Sequence, residues 1–264
     1  TLQEYTASAF VGPSFNIYQY NQQLYKIVHF PRPRQFLGAS ESVDRSRKDN
    51  DKKLDPAISR ARKTITELAL CNPWDWFGTF TLDKEKYDRY DLEKFHKDFA
   101  QWIRDQRKKT GHAIRYVLVP ELHKDGAWHL HGLLYDVPDL LSFDYLRAEL
   151  HRAVPDKLVG KDFFCWMGFD AKFGFCSLGR IHDPIGVSFY ISKYVSKSME
   201  ASGVEVGKHL YYCSRGLYRS VLHSQLFEPS SELAAFCTQK YEFCSTGFVD
   251  CPDPDKWLDA LEFI

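Results

Sequence analysis

Surplus charge is the first thing this sequence lacks. Its 35 basic and 35 acidic side chains cancel. The balance alone gives no reason to expect nucleic acid, and a DNA-binding face would have to come from segregating charge. Metal-knuckle spacing is absent too. The seven cysteines (Cys71, Cys165, Cys176, Cys213, Cys237, Cys244 and Cys251) contain no C-x-x-C pair and are odd in number. That argues against a zinc knuckle or a complete disulfide framework and for reduced thiols. Cys237, Cys244 and Cys251 recur every seven residues, which is no ligand spacing for a metal. No apolar run approaches membrane-spanning length and the N-terminus has no signal-peptide core, so the expectation is a cytoplasmic protein. Repeats and low-complexity tracts are also missing. No complete G-x-x-x-x-G-K-[ST] occurs; residues 203–209 (GVEVGKH) come nearest, with the wrong spacing and His in place of Ser/Thr, so a fused helicase is not indicated.

Aromatic residues, by contrast, are plentiful: 20 Phe, 15 Tyr and 6 Trp in 264 residues that are 44% hydrophobic. A chain of this size supports one large domain, or one domain with an extension. Many of the rings must be core, and others are available to stack on bases. Two basic clusters stand out, Arg60-Arg62-Lys63 and Arg104-Arg107-Lys108-Lys109, and a solvated helix face accounts for either.

The order of elements points to an α+β fold. Residues 1–40 read as strands or an irregular extension broken by Pro31 and Pro33, and residues 41–55 as a charged loop or linker. A helix is expected over 56–70, with Asp55 as N-cap and Pro56 at its first position. Strands are expected over 76–82, 113–119, 128–135, 163–169 and 175–181, and helices over 91–108, 140–153 and 187–198. Strand and helix alternate around a hairpin, which implies an antiparallel sheet with helices packed on it. The domain reading is an extension and linker over 1–55, a catalytic domain over 56–225 and a C-terminal extension over 226–264.

Chemistry enters with WHLHGLL at residues 128–134. On a strand, His129 and His131 project from one face and Leu130 from the other. Such a pair can hold a divalent metal once a third ligand joins it. A three-residue hairpin loop at Lys124-Asp125-Gly126, with Gly126 at positive φ, would set Glu121 opposite His129 and His123 opposite Ala127. Glu121, His123, His129 and His131 would then share a face. A two-residue loop at Asp125-Gly126 would send Glu121 to the other side. Glu121 ranks ahead of His123 as the third ligand, and a mixed N/O set suits Mg²⁺ or Mn²⁺ better than structural zinc.

A second motif is FYISKYVSKS at residues 189–198. Tyr190 and Tyr194, four apart, share a helical face, and Lys193 and Lys197 each follow a tyrosine by three residues. An unperturbed phenol, with a pKa of about 10, is a weak nucleophile at neutral pH. A nearby metal and cation would favour its phenolate. Taken alone, this helix is explained as well by packing Tyr190, Ile191, Tyr194 and Val195 into a core; its place after the histidine strand shifts the balance.

In this order the two motifs resemble those of the HUH endonuclease superfamily. Y-I-S-K-Y-V-S-K is similar to the two-tyrosine helix of gene A-type initiators of small single-stranded DNA phages. E-L-H-K-D-G-A-W-H-L-H-G resembles the metal-binding hairpin of phage and plasmid rolling-circle initiators, and F-G-T-F-T-L at 77–82 resembles the family's first motif. The likeness covers roughly residues 75–220, including Y-Y-C-S-R-G-L at 211–217. It implies an RRM-like core with a central antiparallel sheet of five strands. It further implies Glu121, His129 and His131 as ligands of Mg²⁺ or Mn²⁺, Tyr190 and Tyr194 as nucleophiles, and Lys193 and Lys197 as the lysines of Tyr-x-x-Lys. The implied activity is nicking and rejoining of single-stranded DNA at a replication origin through a 5′-phosphotyrosine, in a bacterial host cell whose helicase and polymerase take part. Conjugative relaxase, transposase, non-catalytic single-strand binding module and water-activating metallohydrolase are the competing readings. Trp76, Phe77, Phe80 and Trp128 are candidates for stacking on bases, although core positions suit each better.

Overall fold

A computed structural model describes residues 14–31, 50–202, 209–227, 230–241 and 243–251, without the side chains of 50–56 and 196–202. The chain divides into one unit of Asp49–Tyr218 and another built from Thr1–Lys48 together with Arg219–Ile264.

Along the chain, β1 (Phe15–Gln19) and β2 (Leu24–His29) precede α1 (Asn50–Cys71) and β3 (Trp76–Thr81). Next come α2 (Leu92–Thr110), β4 (Arg115–Leu122), β5 (Trp128–Tyr135), β6 (Leu140–Ser142) and α3 (Phe143–Ala148). Then follow β7 (Phe163–Trp166), α4 (Met167–Lys172), β8 (Cys176–Arg180), α5 (Pro184–Ser202) and β9 (Tyr212–Cys213). Last are β10 (Val221–Leu226), α6 (Ser231–Phe236), β11 (Gln239–Lys240) and β12 (Ser245–Asp250).

The larger unit carries a seven-stranded antiparallel sheet, ordered β6-β7-β8-β3-β5-β4-β9. The α+β class is as expected. The count exceeds five because β6 and β9, of three and two residues, extend the edges of a five-strand centre. Alternation along the central strands sorts the two faces. Trp76, Phe80, Tyr116, Leu118, Leu130 and Leu134 meet α2 in an aromatic-rich core with Phe95, Phe99, Trp102 and Phe169. Val119 and Leu133 meet α1 and α5 on the other face, against Ile65, Ile191, Tyr194 and Val195. Burying one such large apolar side chain stabilises by roughly 1.5–3 kcal/mol, so both layers hold the sheet firmly.

Helix α2 forms where its periodicity says. Leu92, Phe95, Phe99, Trp102 and Ile103 are all buried, the Asp91 carboxylate accepts from Lys94 N–H at 2.9 Å, and Gly111 closes the end at φ 76°. Other boundaries move. Helix α1 begins at Asn50, ahead of the expected Asp55–Pro56 start, so residues 50–55 of the charged run are helical and 41–49 lie outside the described residues. Charged, Lys-rich sequence carries little penalty in a helix. The helix expected over 140–153 is split: Leu140 pairs with Trp166 in β6, and Ser142 caps α3 by accepting from Tyr145 N–H at 3.1 Å. The strand expected over 163–169 ends at Trp166, because Phe169 and Phe173, four apart, both enter the core from the helical side.

The smaller unit joins the two ends of the chain. Its antiparallel sheet runs β10-β1-β2-β12-β11. Phe15, Ile17, Tyr25, Ile27 and Val249 pack with Leu233 and Cys237 from the α6 region. All seven cysteines are unpaired thiols. Among the described residues no helix is long and apolar enough to cross a membrane.

Candidate active site

The hairpin decides the first half of the site. Gly126 sits at φ 81°, and His123 N–H donates to the Ala127 carbonyl at 2.9 Å, closing the loop expected from Lys124-Asp125-Gly126. Glu121 consequently faces His129, and Val119 faces His131. The carboxylate and the histidines lie on the α5 side of the sheet. His131 Nε2 lies 2.7 Å from Glu121 Oε2, and the His123 ring stacks on His129 at 3.7 Å. Glu121 and His123 are thus both beside the pair, each against a different histidine.

Neighbouring β3 adds residues that sequence reasoning passed over. Its register places Thr79 opposite His131 and Thr81 opposite His129. Thr79 Oγ1 is 3.3 Å from His131 Nδ1, and Thr81 Oγ1 is 3.1 Å from His129 Nδ1. Each hydroxyl engages the inner ring nitrogen and leaves Nε2 as the outward donor atom. The period-two T-x-T of β3, set against H-x-H of β5, was the available signal. Burial, then the adjacent His123 and His131, pushes the His129 pKa down, against smaller upward contributions from Glu121 and Asp125. A neutral imidazole keeps the lone pair that metal ligation needs.

Helix α5 lays the tyrosines over this face. The Tyr194 ring stacks on His131 at 3.6 Å, and its hydroxyl is 2.7 Å from that of Tyr190. Ile191, Tyr194 and Val195 belong to the core layer, as an amphipathic helix requires, whereas Tyr190 is 46% exposed against 9% for Tyr194. Burial first, and the Tyr190 hydroxyl second, push the Tyr194 pKa far above that of a free phenol. Tyr194 is therefore a neutral hydroxyl at any ordinary pH.

Phe77 completes the floor, stacked 6.2 Å from His131 and edge-on to Tyr190 at 5.2 Å. Of the four aromatic residues considered for stacking, only Phe77 faces the site; Trp76, Phe80 and Trp128 are buried in the core of the α2 face. A cavity of about 350 Å³ opens beside Tyr190, lined by Phe77, Phe163, Arg180, His182 and Asp183 among others. Lys193 is exposed on α5, with no hydrogen bond or ion pair among the described residues. Lys197 lies on the same helix, and its side chain is outside the described residues.

Among the described residues, no group of three or more His, Cys, Asp or Glu side chains is arranged as a cage for a metal ion. The Glu121 carboxylate and the His131 imidazole meet each other directly. Their donor chemistry, with His129, is still that of a mixed N/O divalent site, and the threonines supply the outer hydrogen bonds that such histidines use.

No curated protein and no solved structure matches the chain significantly. Residues 75–199, which run from the start of β3 to near the end of α5 and contain every one of these side chains, are similar to the ORF2-type family of replication-associated proteins.

Proposed function

We propose that this protein initiates replication at a DNA origin by nicking a single strand with a tyrosine and later rejoining it. The observation that carries the reading is the Tyr190–Tyr194 hydroxyl pair, fixed over Glu121 and the two histidines by the stack of Tyr194 on His131. The family likeness over residues 75–199 supports the replication role and DNA as partner. Glu121, His129 and His131 would hold Mg²⁺ or Mn²⁺, which when bound polarises a non-bridging phosphate oxygen.

Tyr190 is the accessible hydroxyl and attacks first. Its oxygen bonds to phosphorus, the P–O3′ bond breaks, and the leaving oxygen takes up a proton to give a 3′-hydroxyl that a polymerase extends. Tyr194, neutral and hydrogen-bonded to Tyr190, donates to the oxygen as it becomes phenolate and lowers the cost of that charge. In the rejoining step the 3′-hydroxyl, or Tyr194 on a second strand, attacks a phosphodiester in the same way. The phosphotyrosine keeps the energy of the original bond, so no ATP is consumed. Phe77 and the cavity beside Tyr190 would seat the flanking base, and a host helicase would present the strand.

Covalent trapping tests this. Labelled single-stranded DNA from the protein's own replicon is incubated with Mn²⁺ or chelator and resolved on denaturing gels. Wild type should give a metal-dependent adduct and Tyr190→Phe none. Tyr194→Phe should form the adduct about tenfold more slowly, the equivalent of one hydrogen bond of about 1.4 kcal/mol. Cleavage without an adduct would identify a hydrolase that activates water. An adduct that survives in Tyr190→Phe and disappears in Tyr194→Phe would reverse the order of attack.

A further inference from the structure

On the opposite layer from the tyrosines, α2 and the end of β9 enclose a recess of about 600 Å³ whose lining includes Lys97, Arg104, Arg107 and Arg215. No carboxylate lines it, and none of the four cations has an ion-pair partner among the described residues. This concentration of one charge is unusual in a chain whose charges cancel. Arg107 is set in place: its guanidinium donates to the Ile114 carbonyl, from Nε at 2.7 Å and also from Nη2, and to Ser214 Oγ at 3.3 Å. Ser214 is itself buried and accepts from Tyr116 N–H at 3.0 Å. Burial lowers the Arg107 pKa, and its neighbours Arg115 and Arg104 add to that effect, as expected where cations crowd without anions. Such a site is pre-organised for an anion, and the arginine fork suits phosphate.

Its position suggests which phosphate. Tyr116 faces the α2 side of β4, whereas Glu121 faces the α5 side, and β9 is the sheet edge next to β4. A strand leaving the tyrosines across β4 reaches the recess by turning around this short edge. We infer that the recess is a second phosphate-binding site, which holds the backbone of the single-stranded DNA at a distance from the bond being cut. The inference rests on the reading of the protein as a single-strand DNA enzyme.

The test uses the full chain with Lys97→Gln, Arg104→Gln and Arg215→Gln combined. All three side chains are exposed, and Arg107, which also holds Ile114 and Ser214, is left unchanged. Two probes are compared: a long single strand with the cut site inside it, and a short oligonucleotide covering only the cut site. The variant should bind the long strand on the order of tenfold or more weakly, and its log K against log salt slope should shrink by about 0.7 for each cation that contacts a phosphate. It should bind and cleave the short probe as wild type does. Unchanged affinity and salt slope on the long strand would overturn the inference, as would an equal loss on both probes. Saturable binding of inorganic phosphate that the substitutions abolish, with DNA affinity unaltered, would mark a small-anion pocket and also overturn it. If wild type forms no adduct on the short probe, the nicking mechanism fails instead, while the salt slope on the long strand still decides the recess.

Discussion

At the scale of single residues, the site depends on side chains that differ sharply in exposure. Tyr190 is open and Tyr194 sits in the core layer, although they are four apart on one helix. The difference arises because Tyr194 lies over the sheet and Tyr190 over its margin, beside the cavity that Phe77 borders. Thr79 and Thr81 are the residues whose importance the sequence hid, since a threonine on a strand is ordinary until its partner strand is known. Replacing either by valine keeps the shape and removes the hydroxyl. Thr79→Val and Thr81→Val should each weaken Mn²⁺ binding about tenfold by titration calorimetry, because the imidazole loses its outer hydrogen bond. Unchanged affinity would mean that the threonines only fill the sheet face.

Among the elements, β5 is the most constrained. It is paired on both sides, by β3 and β4, and carries histidines on one face and Leu130 and Leu134 on the other. Gly132 lies between these functions. A Cβ there would meet the Leu118 side chain and the Val117 carbonyl oxygen at 2.8 Å, and backbone cannot swing away as a side chain can. Gly132→Ala should therefore cost about 1–3 kcal/mol in urea unfolding. Stability equal to wild type would show that β4 can shift outward, with consequences for Glu121. The hairpin that leads into β5 was legible because Gly126 and the loop length select one register. Element ends were less legible. The run before Asp55 is helical despite its charge, and Leu140–Ser142 is a strand only because β7 lies beside it.

For the whole molecule, the two chain ends form a single unit. Strands β1 and β2 pair with β10 and β12, which come more than 190 residues later. A hairpin without further strands is marginal in water. Deleting residues 219–264 should therefore abolish hydrogen-exchange protection in β1 and β2 while β3, β4 and β5 remain protected, as mass spectrometry can follow. Protection persisting in β1 and β2 would mean that the hairpin finds other support.

What the sequence determined by itself was whatever local periodicity and turn chemistry control: the α+β class, the amphipathic α2, the face shared by His129 and His131, and the hairpin register that brings Glu121 to them. Both tyrosines were likewise placed on one helix by spacing alone. Tertiary structure decided the remainder, because it depends on which distant segments lie side by side. Pairing of β3 with β5 turned two threonines into supports for the histidines. Packing of α5 on the sheet distinguished an exposed tyrosine from a buried one. Long-range pairing, whose partners no local pattern encodes, joined the first strands to the last.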